Sequence, residues 1–374
     1  MASSEPFRYR NKHKTNVLVL QGGGALGAYQ AGAYEGLAEA DLVPDWIAGV
    51  SIGAINAAII AGNPPDRRVE RLRLFWDQVS SISSLIPPSM LDAIRPMLNG
   101  LSATTALTFG VPGFFTPRLP PPYFAFDGSE GALSLYDTTP LTGTLQQLVD
   151  FDLVNKGEVR LSLGAVNIKT GNSVYFDNRQ TKIGADHVRA SGSLPPGFPP
   201  IEIDGEYYWD GGIVSNSPLW YVLDDSPRMD ALVVQVDLFN ARGSLPRKFD
   251  EVLEREKDIQ YSSKTRFNTN RVKELAEMRG ALGRLLQKLP PEFAQDPDVQ
   301  IVSKICVSGN ITIAHLINRR LSHASQSKDF EFSRATIDEL WTAGRDDVRR
   351  AVTKTDWAEP EETWAGIRTY DLTR

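Results

Sequence analysis

The chain has 374 residues, 41% of them hydrophobic and 23% charged, with a formal net charge of −6. That length supports a large buried core, and the acidic balance excludes a broadly basic nucleic-acid binder. One cysteine allows no internal disulfide, and no run of about twenty apolar residues supplies a spanning helix.

Residues 1–14 are polar, with Arg8, Arg10, Lys12 and Lys14, and read as a flexible solvated tail without a secretory apolar stretch. The cytoplasm is the expected compartment. The apolar run Val17 to Leu20 predicts a strand that enters Gly22, Gly23 and Gly24, with a helix from about Ala25. Such a loop aims several N–H groups into one space, which suits an anion or an oxyanion. Gly22, Gly24 and Gly27 also satisfy the dinucleotide fingerprint Gly-x-Gly-x-x-Gly. That reading needs an acidic residue at the tip of the next strand. Here the next strand ends Gly49-Val50-Ser51, and Asp41 and Asp45 precede it.

Residues 46–57, Trp-Ile-Ala-Gly-Val-Ser-Ile-Gly-Ala-Ile-Asn-Ala, have the layout of a nucleophile elbow. Ser51 sits between Gly49 and Gly53, where a strand turns sharply into a helix. Its hydroxyl would stand at the helix N-terminus, where unpaired N–H groups favour negative charge. Alone, the pattern is also a small-residue turn.

Residues 80–136 are rich in proline and rings, including Phe114-Phe115, Pro120 to Pro122 and Phe124-Ala-Phe126. A segment of that length reads either as an apolar lid or acyl-chain wall, or as a coil covering a sheet edge. Val159 to Val166, Ser173 to Phe176 and Ala231 to Val236 predict strands. The loop Arg189 to Pro200 is stiffened by proline, with Leu194, Pro195 and Phe198 as candidate pocket residues. Residues 205–219 carry an aromatic strand to Asp210 and a turn at Gly211 and Gly212.

Beyond residue 245 the chain turns charged and helical. Leu275, Met278, Leu282 and Leu286 recur at helical spacing, a stripe expected to pack on the core, with a dimer contact as the alternative. Ile311 to Ile317 predicts a late strand and Ser333 to Val352 a last helix. The acidic, Trp-containing end is expected to be surface structure.

Together the Gly22–Gly27 loop, the Ser51 elbow, the Ala190–Pro200 loop and Asp210-Gly211-Gly212 with Asn216 and Pro218 resemble a patatin-like phospholipase. The resemblance implies an α/β fold, a mainly parallel central sheet wrapped by helices. Residues 15–240 would form the core and 241–374 a partly helical C-terminal extension that adds the strand 311–317. It also implies a Ser–Asp dyad: Ser51 as nucleophile, Asp210 as base, and oxyanion N–H groups from Gly22, Gly23 and Gly24. Gly27, Gly49, Gly53, Gly211 and Gly212 would be supporting positions. No cofactor or metal is implied; the expected partner is a lipid or other acyl ester, met by transient contact with a membrane surface. Gln21 and Leu26 depart from the acidic and basic residues many members carry at those positions, which weakens recognition of an anionic headgroup.

An aspartate with an ordinary pKa near 3.9 is a poor base for serine at neutral pH. It serves only if desolvation raises its proton affinity. The rival hydrolase reading is a Ser51–Asp210–His323 triad, with His315 a weaker third member. An inactive acyl-binding scaffold is the reading outside enzymes.

Overall fold

The computed structural model describes residues 14–80, 102–225, 230–262, 265–306, 309–319, 328–354, 357 and 367–373. Their architecture is α/β. A sheet of nine strands contains β1 (Thr15–Leu20), β2 (Trp46–Val50), β5 (Arg160–Asn167), β6 (Ser173–Asp177), β7 (Ile201–Ile203), β8 (Glu206–Asp210), β9 (Ala231–Asp237), β10 (Ile311–Ile317) and β11 (Ile367–Asp371). The short strands β3 (Thr116–Pro117) and β4 (Tyr136–Asp137) form a separate ribbon. The sheet order is β11-β10-β9-β1-β2-β5-β8-β7, with β6 on the other edge of β5. All pairs from β11 through β5 along this path are parallel; β6, β7 and β8 add antiparallel edges.

β1 has a continuous apolar run because both of its faces are covered. Leu18 and Leu20 face one core with Ile47, Leu161 and Leu163. Helices α1 (Gly27–Glu39), α2 (Ile52–Ala61), Arg68–Val79 and Arg334–Val352 add Tyr29, Ile55, Trp76 and Trp341 to that core. Val17 and Val19 face a smaller core with Trp46, Val233 and Ile313, closed by Leu219, Val222 and Leu223 of a short helix.

The chain beyond residue 241 is woven into this body. β10 pairs in parallel with β9 along its whole length, and β11 adds the edge strand beyond it. The 334–352 helix crosses α1 at two glycines. A Cβ at Gly32 would overlap the Trp341 carbonyl, and one at Gly344 the Tyr29 carbonyl. Tyr29 donates to Asp347 at 2.7 Å and Trp341 to Glu35 at 2.5 Å across the same junction.

Two expectations for this region need correction. The end of the chain supplies buried Trp357 and strand β11 rather than surface structure alone; Trp357 and Ile367 each bury an apolar side chain in the core. The 265–286 helix does not bury its stripe: Met278 is half exposed, and Leu282 and Leu286 are only partly covered. The side chain of Leu275 lies outside the described residues, as do residues 1–13.

Candidate active site

The registers of the sheet bring two distant segments together. β5 pairs with β2 from Arg160 to Gly164, the last rung being Val50 against Gly164. It then pairs antiparallel with β8, starting at Ala165 against Asp210. β6 occupies the opposite edge of β5 from Ser162 to Val166, so β2 and β8 share one edge and meet end to end. Ser51 follows Val50, and Asp210 ends β8. The two arrive at one point.

Ser51 is the N-cap of α2, with φ 58° and ψ −126°, a positive-φ conformation that costs a non-glycine residue about 1–3 kcal/mol. Its neighbours allow the turn: a Cβ at Gly53 would strike the carbonyl oxygens of Leu20 and Gln21. The Ser51 N–H donates to the carbonyl and to the hydroxyl oxygen of Ser191, both at 3.1 Å. The Ser191 hydroxyl in turn donates to the Gly164 carbonyl at 2.6 Å. Two residues later the Ser193 carbonyl accepts the Asp210 N–H at 3.0 Å. Buried Ser191 and Ser193 therefore anchor both neighbours of the junction.

Asp210 is 2% exposed. Its carboxyl is hydrogen-bonded to the Ser51 side chain, and Oδ1 accepts the Gly212 N–H at 2.7 Å. Burial pushes the carboxyl up to about 7, against the opposing pull of those two hydrogen bonds.

The glycine loop lies against Ser51. A Cβ on Gly22 would meet the Ser51 Cβ at 3.0 Å. Its N–H, however, donates to the Asn216 carbonyl at 3.2 Å, which removes Gly22 from the expected donor set. The N–H groups of Gly23 and Gly24 have no comparable acceptor among the described residues. Asn216 also donates from Nδ2 to the carbonyls of Gly22 (3.1 Å) and Tyr261 (2.8 Å). Ala25 N–H donates to the Asp329 carbonyl at 2.8 Å.

Gln21 is fully buried, and its amide works at both ends. Oε1 accepts from the N–H groups of Leu238 (2.6 Å) and Phe239 (3.1 Å), and Nε2 donates to the Tyr261 carbonyl at 3.0 Å. A carboxylate could make the first two bonds but not the third. This accounts locally for the departure at position 21. Leu26, the other departure, is buried in the core.

An apolar cleft of about 680 Å³, partly open to solvent, lies over this junction. Ser51, Asp210 and Gly22, Gly23 and Gly24 line it, together with Leu194 and Phe198 of the proline loop. Pro195 does not; the adjoining carbonyls of Pro196 and Gly197 accept from Leu135 and Tyr136, so that part of the loop braces the β3–β4 ribbon. Phe114 and Phe115 line the cleft from the 80–136 segment, whose residues 81–101 lie outside the described residues. Their rings pack edge-on at 5.4 Å, and Phe198 stands 5.1 Å from Phe115.

The opposite side comes from the C-terminal extension: Tyr261, Asp329, Phe330 and Phe332. Burial, then the Asp210 and Asp329 carboxylates, raise the Tyr261 phenol above its ordinary value. Sequence reasoning missed these four residues, because no local pattern marks them. It also missed the anchoring role of Ser191 and Ser193, although both stood inside the loop that was singled out. His323 lies outside the described residues. His315 is buried on β10, with Nδ1 3.9 Å from Asp237, and burial lowers it to about 4; it does not line the cleft.

Residues 18–223 match the family model described as patatin-like phospholipase, more than half of the chain. The chain belongs to the patatin-like phospholipase family. A second model, described as patatin phospholipase, matches residues 259–363; this stretch of the patatin-like chain includes all four extension residues of the cleft. Patatin-like phospholipase domain-containing protein 7 of Rattus norvegicus and of Mus musculus are each 28% identical over 208 residues. Those matches cover 54% of this chain but only 12% of the relatives' length. Among solved structures, VipD from Legionella pneumophila aligns at 15% identity and TM-score 0.33, over 89% of this chain and 68% of VipD. ExoU of the ExoU–SpcU complex from Pseudomonas aeruginosa aligns at 16% and 0.27, over 94% and 77%.

Proposed function

We propose that this protein is a serine hydrolase of carboxylic esters that acts on lipid acyl esters and releases fatty acids. Ser51 is the nucleophile and Asp210 the base. The supporting observation is a fully buried carboxyl, hydrogen-bonded to the Ser51 side chain, whose pKa is raised to about 7. A base is most effective when its pKa lies near the working pH.

In this scheme Asp210 takes the Ser51 proton as Oγ attacks the ester carbonyl carbon. The carbonyl electron pair moves onto oxygen, held by the N–H groups of Gly23 and Gly24. Collapse breaks the bond to the leaving alkoxide, which receives the proton from Asp210. Water then attacks the acyl-Ser51 carbonyl and gives its proton to Asp210; collapse frees the acid and returns the proton to Ser51. The ring-lined cleft suits an acyl chain. The phospholipase names of the relatives favour lipid over small soluble esters, and contact with a lipid surface follows from such a substrate.

The test is a panel of nitrophenyl esters and phospholipids with wild type, Ser51→Ala and Asp210→Asn. Ser51→Ala is expected to lose turnover and fluorophosphonate labelling, and Asp210→Asn to lose about a thousandfold or more in kcat with folding intact. Hydrolysis that survives Ser51→Ala overturns the assignment. Equal loss in His323→Asn, folded, with Asp210→Asn active, assigns a triad or another base instead.

A further inference from the structure

We propose that the loop between β3 and β4 is a lipid-docking element that inserts Leu119, Tyr123, Phe124 and Phe126 into a zwitterionic or neutral lipid surface. These side chains are 86%, 89%, 79% and 91% exposed. Four large apolar groups within eight residues, nearly bare of protein contact, differ from the scattered single exposures normal on a surface.

The loop is an ordered turn, not a slack coil. Arg118 N–H donates to the Leu135 carbonyl at 3.0 Å, and its Nε donates to Ser134 Oγ at 3.0 Å, closing the base. Phe124 N–H donates to the Pro121 carbonyl at 2.9 Å, and Ser129 Oγ to the Phe126 carbonyl at 2.7 Å. The rings are thus presented by a hydrogen-bonded frame. Rings with a polar handle or edge are the side chains that settle at a lipid–water boundary.

Two observations select lipid as the occupant. First, the loop is continuous with the cleft. β3 starts directly after Phe115, which lines the site, and Tyr136 of β4 packs edge-on against Phe115 at 4.9 Å. An insoluble acyl ester therefore meets the exposed rings and the acyl wall on one ribbon. Second, the loop's exposed charges are Asp127 and Glu130, which repel an anionic surface. Attachment is therefore apolar, and anionic lipid is not required.

The purpose of such docking rests on the acyl-ester reading of the cleft, but binding is measured without turnover. The full chain carrying Ser51→Ala is floated with phosphatidylcholine vesicles, with and without Tyr123→Ser, Phe124→Ser and Phe126→Ser together. The triple change is expected to lower vesicle partition about a hundredfold, equally in low and high salt. In the wild-type background it should leave nitrophenyl butyrate hydrolysis within about twofold, while vesicle lipid hydrolysis falls at least about tenfold.

Absence of vesicle binding by the parent, or binding unchanged by the triple change, overturns the proposal. Conversion of a dimer to a monomer by the same change assigns the patch to a second copy and also overturns it. Vesicle binding that depends on the three rings, without ester hydrolysis by wild type, leaves docking standing and removes the hydrolase reading.

Discussion

Replacing Asp210 by asparagine should stabilise the fold at alkaline pH while removing activity. The carboxyl is 2% exposed, and burial raises it from 3.8 to about 7. Because the folded state binds this proton more tightly than the unfolded chain, stability falls as pH rises from about 4 to about 7. Above about 7 the full cost is present. At about 1.4 kcal/mol for each tenfold in proton affinity, it is about 4 kcal/mol. Asparagine keeps an oxygen for the Gly212 N–H and carries no charge, so it removes this cost. The assay is thermal unfolding of wild type and Asp210→Asn across this pH range. The variant should gain several degrees at about pH 8, a gain that shrinks toward zero near pH 4. In wild type, kcat/KM should fall about tenfold per unit below pH 7. A stability difference that is absent at pH 8, or constant with pH, would refute the buried-carboxylate reasoning.

Three further outcomes follow from contacts around the site. Gly32→Ala forces a methyl into the Trp341 carbonyl and should cost about 3 kcal/mol or more in urea unfolding; a loss under about 1 kcal/mol would mean the two helices part easily. Gln21→Glu sets a fully buried carboxylate oxygen against the Tyr261 carbonyl in place of the Nε2 donor, leaving that carbonyl only Asn216 Nδ2, and should cost about 1–3 kcal/mol at pH 8. The loss should be smaller at acidic pH, where a protonated carboxyl can donate; equal losses at both pH values count against it. Lys257→Met removes the 2.5 Å ion pair to Asp329, whose carbonyl holds the Ala25 N–H. It should lower kcat about three- to tenfold with KM nearly unchanged, and Lys257→Arg should retain most activity; unchanged kcat in the Met variant would sever that link.

What the sequence reveals depends on how local the physics is. The Gly22–Gly24 loop, the Ser51 elbow and the Asp210-Gly211-Gly212 turn each mark a strand end by short-range chemistry, so their order in the chain exposes fold class and candidate residues together. The runs Val159 to Val166 and Ala231 to Val236 are apolar enough to declare strands covered on both faces. The helical stripe from Met278 to Leu286 misled, because helical spacing shows which residues share a face and not what covers it. Ser191 and Ser193 act through carbonyls as well as one hydroxyl, and main-chain acceptors leave no compositional trace. Tyr261 and Asp329 reach the cleft only through the fold, about 200 and 280 residues after Ser51. Nothing near them in the chain says where they go.

The end-to-end meeting of β2 and β8 has a mechanical meaning. Val50–Gly164 and Ala165–Asp210 are successive rungs against one supporting strand, so alcohol and carboxyl ride the same rail. Breathing of the ribbon or the outer helices can widen the mouth without changing the gap between them, whereas Ser191 and Ser193 tie the start of the proline loop to both partners. Tolerance for reshaping the mouth and intolerance for disturbing Gly164 are two faces of that one arrangement.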